Sequence, residues 1–466
     1  VSDLIALPMR AASEAVRLRQ ISPVDLVDAY LSRIAAVDSR IGSYILVLAD
    51  QALAAARVAE AELADGNWRG PLHGLPFAVK DNYFTRGVRT CTNSRVRLNA
   101  VPAFDATAVA RLADAGAILL GKLNTWEYGT SMGPVYEDLP YAHARNPWNL
   151  ERFTGGSSTG AGAAVPARTA MFALGSDTGG SVRLPAAACG LQGLKPTFGL
   201  VSRYGILPNC WAFDTAGPLC WNVWDCAAVL QAVAGYDPND PTSVGEPADY
   251  LSGITGGVRG LTIGFIADCD IGGAHPDPAI LANLATAADV FAQAGATIVP
   301  VELPAPLMRY RTAASVINWS ESFAIHERDF HEHAGLMGQA LRDKMMAGLG
   351  LKAVDYIAAL RERRVLAELN IAMMAKVDLL LTPGAFHVAA PFNDPDRLSA
   401  YTGETLMTPF NISNHPAISL CSGFDADGMP TNIQLVGQWF REATLLRASF
   451  AYEQATPWRE RFPNLT

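Results

Sequence analysis

Two clusters of serine and glycine and one lysine hold the chemistry that can be read from this chain. Gly155-Gly156-Ser157-Ser158 and Asp177-Thr178-Gly179-Gly180-Ser181 each set a serine beside consecutive glycines, and Lys80 closes the apolar run Leu75-Pro76-Phe77-Ala78-Val79. A serine hydroxyl is a weak nucleophile until a base takes its proton during attack. Lysine can be that base only when neutral, which requires burial to lower its pKa. Consecutive glycines leave backbone amides unshielded, so that they can point at an oxygen that becomes negative. Each feature alone reads as a turn or a surface lysine, whereas the set together is far more specific.

Three better-known motifs come close and fail. Gly116-Ala-Ile-Leu-Leu-Gly121-Lys122 has the spacing of a phosphate loop, but Leu123 stands where Ser or Thr is needed and the interior is apolar. Gly156-Ser157-Ser158-Thr159-Gly160 fits G-x-S-x-G, with His275, His387 or His415 as a later base. That elbow needs a buried strand before it, and Asn146 to Thr154 reads as a polar loop. A dinucleotide loop at Gly160-Ala161-Gly162 lacks its final glycine.

The elements that must position these residues alternate between helix and strand, the pattern of an α/β fold. Ser22-Pro23 caps a helix over 22–38, with Val24, Val27, Leu31 and Ile34 at helical spacing. A second helix runs over 50–64. Leu75–Val79 reads as a strand, 108–115 as a helix stopped by Gly116, and 117–120 as a buried strand. The stretch from Phe153 to Gly205 is dense in Gly, Ser, Thr and Ala. It contains Met171-Phe172-Ala173-Leu174, a strand, so it reads as close-packed backbone and not as a linker. Further strands are expected at 261–266, 296–301, 377–381, 417–420 and 432–436, with helices over 278–294 and 305–376.

The chain has 466 residues, 50% hydrophobic and 17% charged, with 40 Gly and 29 Pro. That composition is globular and excludes disorder, collagen and coiled coil. A net charge of −9 without a basic cluster argues against holding a phosphate backbone, because Arg361, Arg363 and Arg364 are balanced by Glu362 and Glu368. No nucleic-acid partner is therefore expected. Cys91, Cys189, Cys210, Cys220, Cys226, Cys269 and Cys421 form an odd, scattered set with no C-x-x-C and no His at ligand spacing, read as reduced thiols in a cytoplasmic chain without a metal site. Val1–Arg10 carries Asp3 and Pro8 where a secretion signal would need a basic stretch and then an apolar one. The longest uncharged run, Thr405–Phe424, has two prolines, two asparagines and a histidine, so no membrane span is expected.

The stretch from Gly155-Gly-Ser-Ser-Thr-Gly through Gly175-Ser-Asp-Thr-Gly-Gly-Ser-Val-Arg-Leu-Pro-Ala-Ala-Ala-Cys-Gly to Gly205 resembles the signature of the amidase signature family almost without interruption. The likeness extends through Leu72-His-Gly-Leu-Pro-Phe-Ala-Val-Lys-Asp-Asn82, Gly121-Lys-Leu-Asn124, Asp214-Thr-Ala-Gly-Pro218, Pro409-Phe-Asn411, His415-Pro416 and Gly428-Met-Pro430. It covers roughly residues 20–455 and is faintest over 240–375. The resemblance implies a single amidase domain over 1–466, with a signature core at about 65–225 and a more variable substrate-loop region at about 240–410. The implied fold is α/β, a large mixed central sheet covered by helices on both faces.

The resemblance also implies roles. Ser181 would be the nucleophile, Ser157 the bridging serine after a cis peptide bond, and Lys80 the base. The amides of Thr178, Gly179, Gly180 and Ser181 would form the oxyanion hole, and the loop at Gly129 would line the acyl site. No cofactor or metal is needed. Thr159 departs from the family's usual glycine and reads as a packing variant. Asp177 and Arg183 read as a structural ion pair or as backbone anchors, and Cys189 as a small buried residue. Trp126, Tyr128, Tyr136, Trp211, Phe213, Trp319 and Phe386 are candidate lining residues. If several line the cleft, aryl or alkyl amides, anilides or carbamates are expected over charged amides. The expected activity is hydrolysis of a small-molecule amide through a Ser181 acyl-enzyme, with esterase or urethanase side activity and a homodimer allowed. The rival readings are the amidase subunit of a glutamine-dependent tRNA amidotransferase, and a non-catalytic scaffold.

Overall fold

The computed structural model describes residues 2–130, 137–245, 248–267 and 269–465. Thirteen strands follow one another among the described residues: β1 (Tyr44–Val47), β2 (Pro76–Lys80), β3 (Ile118–Leu123), β4 (Arg145–Asn146), β5 (Asn149–Phe153), β6 (Phe172–Asp177), β7 (Gln192–Lys195), β8 (Thr215–Cys220), β9 (Thr262–Phe265), β10 (Thr297–Pro300), β11 (Leu379–Thr382), β12 (Ala417–Phe424) and β13 (Pro430–Gly437). All except the β4–β5 pair join one 11-stranded sheet in the order β1-β3-β2-β6-β8-β7-β12-β13-β11-β9-β10. The sheet is mixed: β3-β2-β6 and β11-β9-β10 are parallel, and the strands between are antiparallel.

Successive side chains of a strand point to opposite faces. Because β2, β6, β8 and β13 are buried at every position, both faces of the sheet are covered where these strands run. Helices supply the cover: Ala49–Ala64 packs on β3, Val223–Val233 on β8, Arg183–Cys189 on β7 and Pro278–Gln293 on β13. The helix expected over 22–38 runs from Pro23 to Ile41. Its start is capped by the Ser22 hydroxyl, which accepts from the amides of Val24 and Asp25, and it stops at left-handed Gly42. Away from the sheet, the long helix Leu307–His333 packs against Gln339–Leu349 and Ala353–Met374.

β1, β8 and the short β4–β5 pair are not expected from the sequence. β8 contains Gly217 and Pro218, which argue against a central strand, yet it pairs with β6 through Leu174↔Pro218 and with β7. A side chain at 217 would collide with the carbonyl of Leu194, so this glycine allows the backbones to approach. No helix among the described residues is long and apolar enough to cross a membrane.

Candidate active site

β2 and β6 are parallel neighbours, so their C-terminal ends deliver Lys80 and Asp177 to the same edge of the sheet, where loops of an open α/β sheet gather ligands. Lys80 is completely buried, and its Nζ donates to Ser157 Oγ at 2.7 Å and to Ser176 Oγ at 3.0 Å. Ser176 Oγ also accepts from Asn82 Nδ2 at 3.1 Å. Burial pushes the lysine down to about 7, opposed by the more distant carboxylates of Asp214 and Asp177. The lysine is thus surrounded by hydroxyls, which can exchange a proton with it in either direction.

Alternation along the strand explains why the adjacent Asp81 does not neutralise it. Register pairs Val79 with Lys122 of β3, so Asp81 falls on the face of Lys122 and away from Lys80. Asp81 Oδ1 lies 3.3 Å from Lys122 Nζ, and Oδ2 accepts from the amides of Cys91 and Thr92 at 3.0 and 2.7 Å. One buried lysine receives a carboxylate partner and the other keeps only hydroxyls.

The Gly156–Ser157 peptide is cis, and the helix Thr159–Ala164 begins just beyond it. The second cluster forms a loop between β6 and the helix Arg183–Cys189. Its framework is the buried pair Asp177–Arg183: Arg183 Nη2 lies 2.9 Å from Asp177 Oδ1 and Nε donates to Oδ2 at 3.0 Å. Arg183 also donates to Gln434 Oε1 and Asn411 Oδ1, at 2.8 and 2.6 Å, which ties the loop to β13. The guanidinium holds Asp177 far below the usual carboxylate range against the opposing effect of burial.

One expectation about this loop needs correction. The Gly180 amide donates to Asp177 Oδ1 at 2.8 Å, so it is committed to the framework and unavailable to an oxyanion. Thr178, Gly179 and Ser181 remain. Gly180 itself has φ +128, and a side chain there would meet Met407 Sδ at 2.8 Å.

Ser181, Thr178 and Gly179 line a cavity of ≈ 220 Å³ together with Trp126, Gly129, Phe213 and Trp319. Tyr128 is instead fully buried, stacked on His326 and donating its hydroxyl to Asp329. Trp211 lines a separate cavity that reaches Ser176. Phe386 is core, and Tyr136 lies outside the described residues. Among the histidines weighed for a G-x-S-x-G elbow, His387 lies between Asp277 and Glu404 and His415 bonds to Ser413, while the elbow's own serine, Ser158, donates to the Ser176 carbonyl at 3.4 Å.

The sequence reading missed the polar wall. Arg311, Asn209 and Lys344 line the same cavity, against the expectation of a cleft for uncharged amides. Lys344 Nζ donates to Thr130 Oγ1 and, at 2.9 Å, to Asn209 Oδ1. Asn209 Nδ2 donates in turn to Thr178 Oγ1 at 3.1 Å, and Thr178 donates to Asp214 at 2.6 Å. Burial pushes Lys344 down to about 7. No motif spacing links these residues, so only the fold could reveal them.

A family model described as Amidase matches residues 25–446. The A-subunit of glutamyl-tRNA(Gln) amidotransferase from Geobacter metallireducens is 37% identical over 484 aligned positions, which cover 98% of each chain. The protein of the same name from Moorella thermoacetica is 39% identical over 490, covering 99% of each. Among solved structures, the native peptide amidase from Stenotrophomonas maltophilia superposes with a TM-score of 0.87 at 33% identity over 98% of each chain. These relatives overturn the expectation of a small-molecule substrate with no nucleic acid and no partner beyond a second copy, because their name carries a tRNA and places them in a multi-subunit enzyme. The whole-chain charge of −9 bears only on direct grip of a phosphate backbone by this chain, not on membership of an assembly.

Proposed function

The chain belongs to the amidase signature family, whose members act on carbon–nitrogen bonds, and from that premise we propose that it is the amidase subunit of a glutamine-dependent tRNA amidotransferase. The observation that carries this reading is likeness to the amidotransferase relatives over 98–99% of both chains.

In this scheme Ser181 Oγ attacks the side-chain amide carbon of glutamine while its proton passes through Ser157 to Lys80. Negative charge collects on the amide oxygen, facing the backbone amides of Thr178, Gly179 and Ser181. The C–N bond breaks as the proton returns to nitrogen, and ammonia leaves for the partner subunit. Water then repeats the path and releases glutamate. The lysine needs no carboxylate in this sequence, because it must start neutral and become charged only as Ser181 loses its proton. The hydrogen bonds of Lys80 to Ser157 and Ser176 support that role.

The test is transfer itself. The tagged chain, purified from its own host, is expected to convert glutamyl-tRNA(Gln) to glutaminyl-tRNA(Gln) with glutamine as donor and ATP supplied to activate the glutamyl carboxylate, its oxygen leaving with phosphate. Ser181→Ala is expected to abolish transfer from glutamine, with a loss on the order of 10⁴-fold or more. A chain that purifies alone and forms no glutaminyl-tRNA would overturn the assignment.

A further inference from the structure

Ser176, which accepts from Lys80, also lines a second cavity, of ≈ 460 Å³, together with its register partner Ala216 of β8. Tyr204, Ile206, Pro208 and Trp211 give this cavity an apolar lining. Three charged residues line it too, and all three are engaged elsewhere. Arg203 donates to Thr242 Oγ1 at 2.7 Å and to the Trp211 carbonyl at 2.8 Å. Asp240 accepts from the amides of Arg203 and Thr242, and Asp214 from Thr178 Oγ1 and the amides of Asn209 and Cys210. An ion would find no free partner among them, whereas an uncharged molecule leaves these bonds intact. Trp211 is 51% exposed and Tyr204 38%, so two aromatic rings meet water at a concave site, the usual form of a small-molecule pocket.

Ser176 has one donor to spare. Its Oγ accepts from Lys80 Nζ and from Asn82 Nδ2. A neutral lysine has a single lone pair, which the relay reserves for Ser157, and among the described residues no other acceptor lies within reach of the Ser176 proton. We propose that this cavity is a second ligand site, which takes an uncharged aromatic molecule carrying one hydrogen-bond acceptor, its ring against Trp211 and Tyr204 and its acceptor on the Ser176 hydroxyl. Such a ligand displaces water from beside the lysine's own partner, so the ammonium form of Lys80 becomes less favourable and the neutral base more abundant. Occupancy is thereby coupled to the readiness of Ser181 to react. The inference rests on the relay of Ser181, Ser157 and Lys80 and is independent of the amidotransferase assignment.

The probe is quinoline, two fused rings with one acceptor nitrogen, uncharged above pH 6 and without a bond that Ser181 could cleave. Naphthalene is its isostere without the acceptor. Equilibrium dialysis against the full chain, with any subunits that copurify, is expected to show one saturable site for quinoline. Naphthalene should bind about 3- to 10-fold more weakly, the range of one neutral hydrogen bond. Trp211→Ala should weaken quinoline binding by about tenfold or more, and Tyr204→Leu to a lesser degree. The coupling is read from the rate at which a fluorophosphonate labels Ser181. Saturating quinoline is expected to raise that rate about threefold at pH 6, where most Lys80 is charged, and to leave it unchanged at pH 8.5. By reciprocity quinoline should bind about threefold more tightly at pH 8.5 than at pH 6. At the same quinoline concentration the rate increase should vanish in the Trp211→Ala chain.

Absence of saturable quinoline binding overturns the site, and so does binding that survives unchanged in both the Trp211→Ala and Tyr204→Leu chains. Slower labelling at both pH values would place quinoline in the cavity of Ser181 and overturn it as well. Naphthalene binding as tightly as quinoline would overturn Ser176 as the donor. Labelling that bound quinoline leaves unaffected at pH 6 would overturn the coupling. Neither readout involves glutamine or tRNA, so a chain that shows both effects yet transfers no ammonia to tRNA refutes the amidotransferase assignment and leaves the site standing.

Discussion

Lys80 and Lys122 are chemically identical, equally buried and carried on adjacent parallel strands, yet they are fitted for opposite duties. The difference is one residue of register, which gives Lys122 the carboxylate of Asp81 and gives Lys80 the hydroxyls of Ser157 and Ser176. A base in this position must be neutral, and burial brings Lys80 to about 7. Below that pH the ammonium form accumulates and cannot accept the proton of Ser181. The expected kcat/KM for glutamine therefore rises about tenfold per unit on the acid side of 7 and levels above it. Lys80→Arg should lose activity with no recovery at high pH, because guanidinium does not deprotonate there. Lys80→Ala should retain a residue of activity that grows with pH. A flat profile for the unmodified enzyme from pH 5.5 to 9 would remove Lys80 from the base role. Alone this residue reads as a surface lysine, and it was legible in the sequence only in company with the two serine–glycine clusters and the family resemblance they carry. Lys344 was not, since a lysine in a helix reads as surface until the fold closes around it.

The element that organises the site is the turn from β6 into the helix Arg183–Cys189, and its shape depends on one buried ion pair. Asp177 accepts from the amides of Gly180 and Val182, at 2.8 and 3.2 Å, while Arg183 reaches on to Gln434 and Asn411. Removing one partner leaves the other charge buried without compensation, which typically costs about 3–5 kcal/mol. Arg183→Met is thus expected to destabilise the chain by about that amount, read as a lower urea midpoint. It should also lower kcat in whatever fraction folds, because Gly180 and Ser181 lose their anchor. A variant with unchanged midpoint would show that the loop is held by other contacts. Strands such as β2 and β6 were legible because strands buried on both faces are written as short continuous apolar runs. β8 was not, because what makes it a strand is the close approach of β7 at Gly217. That is a fact about its neighbour, and its own side chains do not record it.

At the scale of the whole molecule, the cost of the polar interior should appear as an unusual dependence of stability on pH. Lys80, Lys195 and Lys344 are each pushed to about 7 by burial, whereas a lysine in an unfolded chain titrates near 10.4. Between those values the unfolded chain binds more protons than the folded one, so stability rises as pH rises. From pH 7 to 8.5 this amounts to roughly 1–2 kcal/mol per lysine. Below 7 the buried groups pull both ways: His326 and His415, pushed down to about 3 by burial, add stability as pH rises towards 6.5, and two glutamates oppose them. Burial holds Glu127 and Glu453 at about 7, so they keep protons that the unfolded chain has already released, and stability from these groups falls as pH climbs from about 4.5. Above about 8.5 the buried cysteines oppose the lysines, because Cys91 is pushed up to about 12 and retains its proton in the fold. The expected outcome is a urea midpoint that is higher at pH 8.5 than at pH 7. Lys195 lies outside the cavity and donates to the Pro196 carbonyl at 3.0 Å, so Lys195→Met isolates the effect from catalysis. That variant should gain more stability at pH 7 than at pH 8.5, by the share of one lysine. Equal midpoints at the two pH values, in the parent and in the variant, would mean that the three lysines titrate near their ordinary value and that Lys80 is no base at neutral pH.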